Sequence, residues 1–173
     1  MDWENKSVQA YLQSKDEKRT IKTSVWSTSG STEYLDFFLN PISQDFDNLA
    51  STINIIKPIN DKWLSSFNVN LSKDEIDQNN SDDFNHSKKT MLEWQNSLQL
   101  SPINEMIIGY IYEKEDFNAS NYGLIVDSKL STNAVYLEDL ITLDKHQFLM
   151  AIRLNNKEQI KDQSTWNLEY GYK

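Results

Sequence analysis

The residues best suited to chemistry are few and scattered. His86 and His146 are the only imidazoles, and they stand far apart with no HExxH spacing to pair either one with a second ligand on a helix. The chain has no cysteine, which removes disulfides, thiolate metal sites and cysteine nucleophiles. The four glycines, Gly30, Gly109, Gly123 and Gly171, are too dispersed to build a phosphate-binding loop. No Gly-x-Ser-x-Gly elbow occurs. A calcium loop beginning at Asp77 requires glycine at its sixth position and glutamate at its twelfth, where the chain has Asp82 and Lys88. Carboxylate pairs such as Glu138–Asp139 and Glu113–Glu115 are unremarkable in a chain with 26 acids. The expectation is a protein without catalytic residues, metal or cofactor.

Charge is more informative. Acids exceed bases by 26 to 17, and the whole net charge of −9 falls within residues 29–130. Such a chain repels phosphate backbones and attracts a basic protein. The densest acidic cluster is Asp74, Glu75, Asp77, Asp82 and Asp83. Glu113, Glu115 and Asp116 lie beside a segment, 116–121, that reads as a hairpin loop. These eight residues are the expected partner-binding surface. Aromatic side chains are abundant, with five Trp, eight Tyr and seven Phe. Tyr110 and Tyr112 share one strand face, and Trp166, Tyr170 and Tyr172 share another, suited to core packing or to a partner surface.

The elements that must position these groups follow from periodicity. Residues 4–17, 32–39, 44–56 and 82–99 read as helices. The last is the clearest, with Phe84, Met91, Leu92 and Leu98 at helical spacing and Pro102 beyond. Alternation predicts strands over residues 20–27, 63–71, 107–113, 122–128, 134–137, 148–154 and 166–172. Helices early and strands late imply a single α+β domain over residues 1–173, an antiparallel sheet packed with N-terminal helices.

The opening residues carry acids where a signal peptide needs positive charge. The longest apolar run, residues 106–112, is far short of the roughly 20 residues of a membrane helix. These features predict a cytoplasmic protein with no membrane or nucleic-acid partner. The functional expectation is a non-catalytic binding protein, an immunity or inhibitor protein that neutralises a basic, nuclease-type bacterial toxin. The alternatives are an acidic nucleic-acid mimic of a phage or mobile element, and a small-molecule enzyme or binding domain with a pocket.

Overall fold

The computed structural model describes residues 2–158 and 161–173. Every regular element among them is a strand: β1 (Trp3–Lys15), β2 (Thr20–Leu35), β3 (Pro41–Asn60), β4 (Trp63–Gln78), β5 (Phe84–Ser101), β6 (Asn104–Asn121), β7 (Leu124–Leu143), β8 (His146–Lys157) and β9 (Gln163–Tyr172). Each pairs antiparallel with its neighbour in sequence, giving one nine-stranded sheet in the order β1 to β9.

The α+β expectation is therefore corrected, and the four expected helices are strand or turn. In β5, Phe84, Met91 and Leu98 recur every seven residues, which imitates two helical turns. On a strand an odd spacing puts Met91 on the face opposite Phe84 and Leu98. In β3, Leu49 and Ile53 share one face while Phe46 and Ala50 share the other. The run Thr52, Ile53, Ile55 and Ile56 is β-branched, a composition that suits a pleated surface. Ladder pairing on both sides then overrides the helical spacing.

Among the described residues no second layer covers the sheet. The solvent-accessible area is 12443 Å². A compact soluble protein of 20.2 kDa exposes about 8,800 Å². Among the described residues only Ile111 and Ala134 are buried apolar side chains. There is no interior of the ordinary kind, so the two faces of the sheet carry the functional information.

The sheet has two unlike ends. At one end, turns of two residues join β3 to β4, β5 to β6 and β7 to β8, and residues 16–19 join β1 to β2. At the other, five-residue loops, 36–40 and 79–83, join β2 to β3 and β4 to β5, and Tyr122 and Gly123 turn β6 into β7. Leu39, Tyr122 and Gly123 have positive φ there. The outer strands β1 and β9 both run from the loop end to the short-turn end, and each has one neighbour.

Candidate functional site

Directly opposed residues on paired strands share a face, so the register sorts every side chain. One face carries a continuous apolar band nearer the short-turn end. It comprises Val8, Ala10 and Leu12 on β1, Ile21 and Val25 on β2, and Leu49, Ile53 and Ile55 on β3. It continues through Phe67, Val69 and Leu71 on β4, Leu92 and Trp94 on β5, and Ile108, Tyr110 and Tyr112 on β6. Val135 and Leu137 on β7, Phe148 to Leu154 on β8, and Trp166 to Tyr172 on β9 complete it. These side chains expose on the order of 2,000 Å² together, where the largest apolar patch on a soluble monomer is a few hundred.

The band has a defined height and slant. On β4 it runs from Trp63 to Leu71, about 26 Å along the strand. Its upper margin does not follow the hydrogen-bond rows. Leu71 lies opposite Thr90, yet the margin on β5 is Leu92, one pleat lower. Val135 lies opposite Tyr110, one pleat below Tyr112, and Trp166 lies opposite Ile152, one pleat below Leu154. A level band crossing tilted strands slips against the register in this way.

Several polar side chains on this face are paired by neighbours, although Asn104 Oδ1 is buried without a partner. The Trp63 indole donates to Asn96 Oδ1 at 3.0 Å, and the Trp94 indole donates to Ser65 Oγ at 2.9 Å. Tyr110 Oη donates to Asn133 Oδ1 at 2.6 Å, and Asn104 Nδ2 donates to Asp139 Oδ1 at 2.6 Å. Such pairing is what an environment without water demands.

The opposite face at the same level is polar. Thr52 donates to Asn70 at 2.9 Å, Asn54 bonds Asn68, Asn68 donates to Glu93 at 3.2 Å, and Tyr136 Oη donates to Glu93 at 2.9 Å. This ladder crosses β6 over Gly109. A Cβ at Gly109 would stand 2.1 Å from Cζ of Tyr136, so only glycine lets the ring lie against the backbone. Beside it a cleft of about 480 Å³ is lined by Glu93, Gln95, Tyr136, Glu138 and Arg153 among others.

Above the band, towards the loops, the formerly apolar face becomes charged. Lys73 bridges Asp47 at 2.9 Å and Glu75 at 2.8 Å, and Lys88 reaches Glu75 at 3.2 Å. The Lys73 ammonium holds the Glu75 carboxyl below its usual range. His86 meets Asp77 at 2.8 Å, and Lys114 meets Asp116 at 3.4 Å.

The eight expected partner-binding acids do not form one surface. Asp74, Glu113 and Glu115 lie on the polar face, whereas Glu75, Asp77 and Asp116 lie on the other. Glu113 pairs with Lys89 at 2.9 Å. Glu113, Glu115 and Asp116 sit inside β6 rather than at a hairpin tip, because the turn falls at Tyr122 and Gly123. Asp82 and Asp83 alone stand in a loop, where they share a cleft with Asp36, Phe37, Phe38 and Tyr122. Sequence reasoning missed Asp36 and this aromatic trio, although the polar Asp36–Asn40 bracket around three apolar residues was visible as a turn signal. Among the described residues no group of three or more His, Cys, Asp or Glu could hold a metal ion.

No protein-family model matches the sequence, and no curated protein does. Solved structures do match in fold. The siderophore receptor PirA from Pseudomonas aeruginosa aligns over 97% of this chain and 30% of its own, with a TM-score of 0.80 and 13% identity. The alcaligin outer membrane receptor FauA from Bordetella pertussis aligns over 99% of this chain and 33% of its own, with 0.79 and 11%. A loop-deletion mutant of OmpT, an outer membrane protein of Vibrio cholerae, aligns over 97% and 53%, with 0.65 and 10%. The chain thus spans about a third of the length of the receptors it resembles. These likenesses, with the band, correct three expectations. The fold is that of an outer-membrane β-barrel wall, which overturns the cytoplasmic placement, the immunity-protein reading and the exclusion of a membrane.

Proposed function

We propose that this chain forms part of the wall of an outer-membrane β-barrel. The apolar band meets lipid, the polar face lines the interior, and the five-residue loops project from the side opposite the short turns. The observation that carries this reading is the continuity of the band from β1 to β9 on one face, with hydrogen-bonded polar side chains behind it. Helices and closed barrels are the two structures that satisfy a backbone in lipid. Nine strands cannot close on themselves in an antiparallel ladder, since β1 and β9 run the same way. An odd number of further strands completes the ladder, which accords with the greater length of the receptors of like fold. In this reading the chain acts by enclosing and binding rather than by catalysis.

The test uses two tryptophans on opposite faces. Trp94 lies in the band, and Trp26 lies on the polar face of β2 opposite Ala50. Single-tryptophan variants retaining one or the other, within the barrel completed by its further strands, are placed in vesicles whose acyl chains carry bromine. Emission from Trp94 should be strongly quenched and that from Trp26 should not. Equal quenching of the two, or none at Trp94, would refute the assignment of faces.

A further inference from the structure

At the loop end, far from the band, three hairpin connections converge on one cleft of about 630 Å³. That volume suits a small ligand. Three aromatic side chains stand around it. Phe37 and Tyr122 are 94% and 92% exposed, and the Phe37 and Phe38 rings meet edge to face at 5.5 Å. Asp36, Asp82 and Asp83 stand among them, and no Lys, Arg or His lines the cleft among the described residues.

The walls are held by bonds between loops rather than by the aromatic rings. Ser43 N donates to Asn80 Oδ1 at 2.8 Å, and Asn79 N donates to Ser43 O at 2.8 Å. Tyr122 N donates to Asp83 Oδ1 at 2.8 Å, which ties the β6–β7 turn to the β4–β5 loop. Asp36 Oδ1 accepts from Phe38 N and Asn40 N, both at 2.8 Å. The Asn40 side-chain amide donates to the same carboxylate, and these bonds hold Asp36 below its usual range, so it is ionised at neutral pH. The rings are thus free to meet a ligand, while two of the three carboxylates fix the loops and supply charge.

We propose that this cleft binds an organic cation, an ammonium or guanidinium group carried on an apolar stem. Three carboxylates without a counter-cation set a negative field, and the faces of aromatic rings attract cations. The stem covers phenyl surface that water otherwise contacts. A metal ion is disfavoured, because Oδ1 of Asp36 and Oδ1 of Asp83 already accept from backbone N–H groups and Phe37, Phe38 and Tyr122 supply no ligand oxygen other than a phenol. The inference rests on the loops alone and stands apart from the membrane reading.

The experiment is a calorimetric titration of the folded chain with benzylammonium and benzylguanidinium, with benzyl alcohol as the uncharged control. The cations should bind about tenfold more tightly than the alcohol, and raising salt from about 0.1 M to 1 M should weaken them. Phe37→Ala and Asp82→Asn alter exposed loop residues and should each weaken the cations about three- to fivefold, with unchanged circular dichroism. A Lys- or Arg-bearing tripeptide forms the second arm. Binding well above that of the free cations marks a polypeptide side chain as the source, and equal binding marks a small molecule. Equal affinity for benzyl alcohol, variants that bind like the parent, or no cation binding at all would overturn the proposal.

Discussion

Met150 and Ala151 are adjacent on β8 and point to opposite faces, so the same substitution at each separates a lipid-facing wall from a soluble sheet. Met150 lies mid-band between Phe148 and Ile152 and is 46% exposed. Ala151 lies on the polar face opposite Glu138 and Asn167, in the cleft that Arg153 and Tyr136 also line. If the band meets lipid, Met150→Arg puts a guanidinium near the bilayer midplane at a cost of about 2–4 kcal/mol. Ala151→Arg puts it among water and carboxylates at about 0–1 kcal/mol. If the sheet were instead bathed in water on both faces, Met150→Arg would alter a half-exposed site and fall within about 0.5 kcal/mol of the parent. The two cases differ by at least about 1.5 kcal/mol, roughly tenfold in the folding equilibrium, well outside the error of a titration series. The assay is reversible denaturant unfolding of the two variants and the parent, each within the completed barrel, from vesicles, followed by tryptophan emission. A Met150→Arg protein as stable as Ala151→Arg would refute the band as a lipid surface.

Gly109→Ala should destabilise the sheet by about 1–3 kcal/mol, because the new methyl displaces the Tyr136 ring and with it the bond to Glu93. Unfolding of Gly109→Ala in a Tyr136→Ala background should recover most of that loss, and purely additive effects would contradict the steric argument. Glu75 has its folded pKa lowered by Lys73, so its contribution is present above the unfolded value of about 4.5 and fades as pH falls through the folded value. The pair stands near the surface, where solvent screening keeps the effect small. Amide protection factors in the upper parts of β4 and β5, taken relative to the intrinsic exchange rate at each pH, should therefore fall on acidification in the parent and fall less in Glu75→Gln.

Several strands were legible as sequence. Trp166 to Tyr172, Phe148 to Leu154 and Phe67 to Leu71 alternate at period two, and each is strand in the structure. The absence of cysteine, the location of the acidic excess and the wealth of aromatics were equally open to reading. Much of the acidic excess proves to belong to β3, β4 and β6 where they extend past the band, and to the β4–β5 loop. Its members fall on opposite faces because side chains one residue apart on a strand diverge, which is why Glu115 and Asp116 cannot act together.

Two things were decided only in three dimensions. Spacings of seven in β5 read locally as a helix, and pairing with β4 and β6 overrides them. The membrane surface was hidden for a related reason. A helix declares itself by one long apolar run, whereas each strand here contributes only two to four apolar residues to the band, and residues 106–112 fall far short of a membrane helix. The band exists only as the sum of nine such contributions, placed side by side by a register that spans the whole sheet. The loop-end cleft is the same kind of object. Phe37, Asp82 and Tyr122 are far apart in the chain, and backbone N–H groups that donate to Asn80 and Asp83 side chains across separate hairpins help to bring them together. Sequence determined which residues were apolar, charged or aromatic. Interstrand hydrogen bonding, which is non-local, determined which of them face the same way.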